Sequence, residues 1–372
     1  MCLRLLSATV AVVVFASAAE IARADNVEVH GYGGWTYGRN DVEGIHYLGS
    51  SRDGEAGYVN LAIAAASQAS ERVRICAQVW WEAEPGEEGT TTVDYAFGEW
   101  RASDALRLRM GQVKHPYGIY TEVFDVGTIR PFFWLPQGVY GPSGIVAESY
   151  RGIGLTGSHF AAGRWELEYD AYVGELDLEA TDLAAAFGEA TEGGETEALE
   201  EAGLRDLLGG RVALTEPRSG LRFGLSAYRG REAEDAGEIH SCFGLHVEHV
   251  TDNWSLRSEF THLREADALA SDAAYLEVAH RLGGPWQLAG RVERASASLD
   301  GTDTDEAPGL LKHREATLGL NCWFHPDLVA KLAVSRVEGN RFAHPEDIAD
   351  AVADGMLPAR IHLLSLGVQF AF

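Results

Sequence analysis

The run YRGIGLTGSHFAAGRWELEYDAYVGE, Tyr150 to Glu175, reads as two strands and a turn. From Trp165 to Val173 one face carries Trp165, Leu167, Tyr169, Ala171 and Val173. The other carries Glu166, Glu168, Asp170 and Tyr172. Period-two alternation marks a strand with one apolar and one polar face. Ala161-Ala162-Gly163 is short enough to be a hairpin link. A soluble half-buried sheet has the same pattern, so a single hairpin decides little.

The pattern recurs in both directions. Strands are expected at 27–38, 56–69, 71–82, 91–102, 105–114, 150–160, 164–175, 210–216, 220–230, 238–249, 253–263, 272–282, 286–298, 312–324, 328–338 and 360–372. The links after even-numbered strands are short turn sequences, such as Ser103-Asp104, Gly283-Gly284-Pro285 and His325-Pro326-Asp327. The links after odd-numbered strands are long and mostly acidic: 39–55, 83–90, 115–149, 176–209, 231–237, 264–271, 299–311 and 339–359. A β-sandwich has no reason to sort loop length by parity. An up-and-down transmembrane barrel does, with short turns on the periplasmic side and long loops outside. The expected fold class is all-β: a 16-stranded antiparallel transmembrane β-barrel.

The N-terminus agrees. Met1 to Arg4 is a short basic region, Leu5 to Ala19 is apolar, and Ala22-Arg23-Ala24 is an A-x-A cleavage site. Residues 1–24 read as a signal peptide and 25–372 as the mature barrel domain. The apolar run falls short of the ~20 residues of a spanning helix. No later run reaches that length, and in lipid only helices and closed barrels satisfy the backbone. The expected location is the bacterial outer membrane.

Composition excludes other classes. The 372 residues are 46% hydrophobic and 10% aromatic, which argues against disorder. Lys+Arg is 30 and Asp+Glu is 56, a net charge of −26, so no basic face is on offer to nucleic acid. Four cysteines without a CxxC pair exclude a disulfide scaffold and a zinc ribbon. Cys76, Cys242 and Cys322 lie in separate strands and read as free thiols.

Aromatic residues sort by strand direction. Trp165, Trp254 and Trp286 begin upward strands, while Trp100, Trp323 and Phe324 close downward ones. Trp35, Tyr37, Trp80, Trp81, Tyr172, Tyr228 and Tyr275 lie at the opposite ends, so two girdles are expected. Leu183 to Leu208 is Ala/Glu/Leu-rich, and Pro345 to Asp354 starts with Pro and precedes Gly355. Both are expected to be short helices.

The segment Arg109-Met110-Gly111-Gln112-Val113-Lys114-His115-Pro116-Tyr117-Gly118 resembles the G-Q-x-K-x-P-[FY]-G signature of Gram-negative outer-membrane porins of the phosphate-selective porin-like (O/P-type) group. The terminal Phe372, with apolar residues at every second position before it, resembles the signal read by the barrel-assembly machinery. The resemblance implies an inward-folded third loop at 115–149 that narrows the lumen, and a homotrimer. Lysine-rich pores give that group its phosphate preference. Here only Lys114, Lys312 and Lys331 are present, so the preference is not carried over.

Sixteen strands leave an aqueous channel rather than a packed core. Parity assigns pore-lining positions to Arg72, Arg74, Arg107 and Arg109 on strands three and five. On strand seven it assigns Glu166, Glu168 and Asp170. The constriction loop adds Glu122, Asp125 and Arg130. Arginines on one wall facing carboxylates on another would create a transverse field that selects polar solutes. The bland alternative is a solvated polar face with ion pairs of ~0–1 kcal/mol each. Arg222, Arg257, Glu259, Glu277, Arg281, Arg291, Glu293, Glu315 and Lys331 also face inward and are of mixed sign.

The expected function is a porin passing small hydrophilic solutes and ions by passive diffusion. Its expected partners are outer-membrane lipid, those solutes, and the assembly machinery through Phe372. No cofactor, metal, nucleic acid or catalytic site is expected. Gly152-Ile153-Gly154-Leu155-Thr156-Gly157 matches GxGxxG but lies in a strand, where no helix N-terminus can hold a pyrophosphate. His240, Cys242 and His246 share a face, but at ~3.3 Å per residue 240 and 246 are too far apart to share an ion. Asp300, Asp303, Asp305 and Glu306 lack the EF-hand spacing. No G-x-S-x-G elbow supports a hydrolase. The alternative is a plugged barrel acting as adhesin or scaffold.

Overall fold

The computed structural model describes residues 27–83, 89–103, 105–143, 145–161, 164–181, 199–233, 238–265, 269–299, 309, 311–343, 347, 351 and 357–372. The expected signal peptide, residues 183–198 of the first expected helix, most of the second, and the acidic run from Asp300 to Glu306 lie outside them.

Sixteen strands follow one another: β1 Val27–Asn40, β2 Glu55–Ser70, β3 Val73–Ala83, β4 Thr90–Ser103, β5 Leu106–Lys114, β6 Ser149–Ala161, β7 Trp165–Thr181, β8 Leu199–Glu216, β9 Leu221–Glu232, β10 Ile239–Val250, β11 Trp254–Glu265, β12 Leu269–Gly283, β13 Trp286–Leu299, β14 Lys312–His325, β15 Leu328–Glu338 and β16 Arg360–Ala371. Each pairs antiparallel with its sequence neighbours, and β1 pairs with β16, so the barrel is closed. Closure leaves no strand edge, which is what a sheet surrounded by lipid requires. Tight links such as 71–72 and 284–285 gather at one rim. Phe372 sits at that rim, exchanging backbone hydrogen bonds with Gly31 at 2.8 and 2.9 Å.

Two boundaries differ from expectation. The segment 199–208 is strand, not helix, because β8 extends to pair with β7 as far as Thr181. Leu204 and Leu207 are buried there, on either side of a bulge, and burial overrides helix propensity. The link 264–271 shrinks to 266–268, since β11 and β12 both run further than their alternation suggests.

The outward face is an apolar belt. Ile153, Val212, Leu245, Val292, Leu318 and Val334 are all exposed on it, and Trp100, Trp254, Trp286 and Phe324 are exposed at the short-turn rim. Trp35 and Trp81 are exposed nearer the other rim. Tyr172, Tyr228 and Tyr275 do not join that second girdle. They are buried in the interior, where their rings pack on the long connection that follows β5. Parity explains this: Tyr172 shares its face with Glu166, Glu168 and Asp170. Trp323 belongs to the interior as well, with the Arg281 guanidinium 5.2 Å above its ring.

The largest packed core therefore sits inside the barrel. Ile45 and Tyr47 from the first loop join Tyr117, Tyr120, Leu135, Val139, Tyr140 and Ile145 from the connection after β5. They pack on inward residues such as Leu176, Leu204, Leu263, Val337 and Ile361.

Candidate functional site: the lumen and the loop that crosses it

The connection from His115 to Glu148, called L3 here, leaves β5 and enters the lumen. Gly118 makes the entry possible. Its φ is +59°, and a Cβ there would lie 2.4 Å from the Glu259 carboxylate, so the position suits only glycine. Two 3₁₀ turns, Thr121–Val123 and Gly127–Ile129, and one helical turn, Gln137–Tyr140, give L3 local order. Pro131, Pro136 and Pro142 stiffen what lies between.

L3 is tied to the far wall by polar bonds. The Ile119 amide donates to Glu259 of β11 at 2.7 Å, and Tyr140 and Tyr275 also donate to that carboxylate. Tyr120 donates to Glu277 of β12 at 2.6 Å. On β13 and β14, Arg291 donates to the Trp134 carbonyl and Asn321 to that of Pro131, both at 2.8 Å. Lys331 of β15 donates to the carbonyls of Gly127 and Arg130, both at 2.7 Å. Gly34 and Gly367 make room for the Phe133 ring, which any side chain at 367 would meet at 2.5 Å.

On the near wall the ties are ionic. Lys114 holds Asp125 at 2.9 Å, and Gln78 donates to the same carboxylate. Arg211 of β8 bridges Glu122 of L3 and Asp170 of β7, the latter at 2.9 Å. Arg109 bonds Glu99 of β4 at 2.8 Å and approaches Glu122 at 3.8 Å.

Around the wall runs a ladder of alternating charge. Arg222, Glu248, Arg257, Glu277 and Arg291 stand directly opposite one another on the five consecutive strands β9 to β13. Cross-strand pairs of opposite sign each contribute ~0.2–1 kcal/mol. Exposure divides the ladder. Arg222, with Glu168 of β7 beside it, keeps 27% of its side-chain surface and Glu168 keeps 34%, whereas Arg291 and Glu277 keep 2% and 3% beneath L3. Water therefore reaches the wall of β4, β5, β7 and β9, while L3 seals the wall of β12 to β15. Below L3, at the short-turn rim, a cavity of about 740 Å³ opens between Arg130, Pro131, Arg257, Arg281 and the turns after β10, β12 and β14.

The residues expected to line a pore fall into three groups. Glu122, Arg109 and Asp170 come together around Arg211 at the level of L3, and Glu168 joins Arg222 at 3.1 Å beside them. Arg107 and Glu166 face inward, nearer the short-turn rim. Arg74 pairs with Glu28 at 2.7 Å near that rim, and Arg72 lies in the turn before β3. Asp125 and Arg130 are buried against the wall rather than presented to the open side. Arginines and carboxylates interleave on one wall instead of facing each other across it. Four members of the ladder, Arg222, Arg257, Glu277 and Arg291, are among the inward residues of mixed sign; Glu248 is not, and the register that aligns all five depends on strand ends set by packing.

The environment sets the charge states of the loop. Burial alone would raise Glu122, but Arg211 and then Arg109 hold it below the usual carboxylate range. His115 is fully buried against the Tyr172 hydroxyl at 2.8 Å, and burial lowers it to about 3, so it is neutral at pH 7. Burial likewise lowers Arg130, against the opposing pull of Asp125. Two clusters have metal-ligand composition: Glu293, His313 and Glu315, and Asp94, Asp125 and Glu148. Each already has a cation of its own. Arg291 lies 3.6 and 3.5 Å from the two glutamates, and Lys114 lies 2.9 Å from Asp125.

A closed sixteen-stranded barrel, an apolar outer belt and a loop folded inward after the fifth strand now stand together. The chain has the fold of outer-membrane porins. It aligns with OmpF of Salmonella typhi, solved in complex with daunomycin, at a TM-score of 0.60 and 9% identity, over 93% of this chain and 98% of that one. The outer membrane channel DcaP of Acinetobacter baumannii aligns at 0.55 and 7% identity, over 93% and 97%. In-vitro folded OmpT of Vibrio cholerae, in a trimer form, aligns at 0.53 and 11%, over 94% and 100%. No protein-family model matches the sequence, and no curated protein matches it either. At such identities the likeness rests on the fold. In porin terms the short-turn rim is periplasmic and the long-loop rim extracellular.

Proposed function

We propose that this chain is an outer-membrane porin that passes small hydrophilic solutes and ions by passive diffusion between L3 and the wall of β4 to β9. The observation that carries this reading is the uneven exposure of the charge ladder. Its β9 end, Arg222, and the neighbouring Glu168 of β7 remain wet, while its members on β12 and β13 are sealed by L3. Arg109, Glu122, Glu168 and Arg222 would then form the rim of the passage, with Arg107, Glu166 and Arg74 along the periplasmic exit. Alternating charge at that rim favours hydrated polar solutes over apolar ones. Residues 1–24 would direct export, and the trimeric form of one structural neighbour supports a homotrimer here. Swelling of liposomes that carry the protein, in a graded series of neutral sugars, tests the reading. Swelling with a size cut-off is expected; liposomes no more permeable than empty ones would overturn it.

One observation favours a second reading. The first loop and L3 pack an apolar core against inward residues of β7 to β16. A plugged barrel serving as scaffold or adhesin would need such a core across the whole lumen. The same swelling experiment separates the two.

A further inference from the structure

Glu293 of β13 and Glu315 of β14 stand directly opposite each other on the inward face, and His313 lies two residues before Glu315 on that same face. The side chains of Glu293, Glu315 and His313 keep 1%, 2% and 0% of their surface. Like charges in direct cross-strand register are destabilising, and burial adds to the cost. Among the described residues, one guanidinium serves both carboxylates. Arg291 lies 3.6 and 3.5 Å from them, too far for a good hydrogen bond. It donates instead to the Trp134 carbonyl, and it is shared with Glu277 at 3.9 Å.

Two carboxylate oxygens are left over. Glu293 Oε1 accepts from His313 Nε2 at 2.6 Å and from the Gln137 amide at 3.1 Å. Glu315 Oε1 accepts from Thr317 and Ser335. Oε2 of each glutamate is buried without a hydrogen-bond partner among the described residues. An unsatisfied buried acceptor costs the full desolvation of that group. A proton on His313 would add positive charge and still leave both Oε2 atoms bare.

The three side chains converge. Each offers a donor atom within 4.8 Å of the other two. His313 Nε2 lies 2.6 Å from Glu293 Oε1 and 3.8 Å from Glu315 Oε2. These separations bracket the ~3.4 Å between donors that surround a tetrahedral zinc ion at ~2.1 Å. Tyr47 of the first loop holds the far ring nitrogen, Nδ1, at 2.8 Å. Metal-ligating histidines have such an outer partner, which fixes the ring. Beside Glu315 a cavity of about 20 Å³, lined also by Trp134, Thr317 and Ser335, has room for one water as a fourth ligand.

We propose that Glu293, His313 and Glu315 bind a zinc ion that fastens the first loop and L3 to the sealed wall. One imidazole with two carboxylates suits zinc, whereas calcium and magnesium take oxygen ligands. The ion adds the positive charge that a shared Arg291 leaves wanting, and it meets both bare oxygens. It reaches the first loop through Tyr47 and L3 through the Gln137 amide on Glu293. The cluster of Asp94, Asp125 and Glu148 differs: it has no histidine, Lys114 bonds Asp125 at 2.9 Å, and Glu148 keeps 36% of its side-chain surface. The site does not depend on whether the barrel conducts.

The zinc content of the untagged mature barrel, refolded with equimolar zinc chloride and desalted, tests this. One zinc per chain should remain. Glu315→Gln should weaken zinc binding by about tenfold or more, and Tyr47→Phe, which touches the ring and not the ion, by about tenfold. His362→Ala removes an exposed histidine and should leave the zinc in place. Cobalt chloride in place of zinc reads the site in the parent, where a variant fails to fold. The strong visible absorption of tetrahedral cobalt is expected, and zinc should abolish it. A folded parent without zinc, equal retention by folded Glu315→Gln, loss of zinc in His362→Ala, or only the weak absorption of hydrated cobalt would each overturn the proposal.

Discussion

Tyr120 donates its phenol hydrogen to Glu277 at 2.6 Å, joining the third loop to a strand 157 residues further along the chain. Arg257 donates to the same hydroxyl at 3.2 Å, so the tyrosine is held between two members of the charge ladder. With Glu259, Arg291, Asn321 and Lys331, this junction holds L3 against the wall of β11 to β15. Tyr120→Phe removes it while keeping the ring. A hydrogen bond to a charged group is worth about 1.5–3 kcal/mol. The variant should give a noisier, larger single-channel conductance than the parent. Identical current traces would mean that the other anchors suffice.

Arg109 and Glu122 make opposite predictions at the proposed rim. Arg109→Ala should move the reversal potential in a salt gradient towards cation preference. Glu122→Gln should move it towards anions, because it removes the negative charge and leaves Arg211 with Asp170. Shifts of the same sign in both variants would place the rim elsewhere.

Gly118 is the hinge by which L3 enters the barrel. Gly118→Ala forces a left-handed backbone on a residue with a Cβ, at ~1–2 kcal/mol, and drives that Cβ into Glu259. Loop anchorage should weaken while the barrel still closes. Faster protease cleavage within 115–149, with unchanged heat-modifiable migration of the barrel, is the expected result.

His115 predicts an acid dependence. Its folded value of about 3 lies below that of an unfolded histidine, near 6.5. The unfolded chain therefore binds the extra proton first, and stability falls as pH drops from 6.5 towards 3. Glu122, also held low, loses its contribution over the acidic end of the same range. His115→Phe should flatten the decline above pH 5, measured as the midpoint of denaturation against pH. A parent midpoint that does not change between pH 7 and 4 would contradict the burial argument.

Much of this architecture was legible in the alternation of strands such as Trp165 to Val173 and in short links such as Gly283-Gly284-Pro285. Across a tight turn the pairing can be counted, so Glu248 opposite Arg257 and Glu277 opposite Arg291 were within reach of the sequence. Across a long loop it cannot. Arg222 opposite Glu248 depends on how far β9 and β10 project, and Arg257 opposite Glu277 on β11 and β12 running beyond their alternation to a three-residue link; packing sets both. For the same reason Leu199 to Leu208 misled: its Ala/Glu/Leu content favours a helix, but pairing with β7 offers more. Tyr172, Tyr228 and Tyr275 were placed in a girdle by their height, although parity puts Tyr172 inside. Parity turns Lys331 and Glu259 inward, but their burial has no local signal, because what buries them comes from 115–149.

The most direct measurement is single-channel current through the purified, refolded protein in a planar bilayer under a tenfold KCl gradient. The account predicts discrete conducting steps, grouped in threes for a trimer, with a reversal potential that moves in opposite directions for Arg109→Ala and Glu122→Gln. A correctly folded barrel that carries no current would contradict it and leave the plugged scaffold in its place.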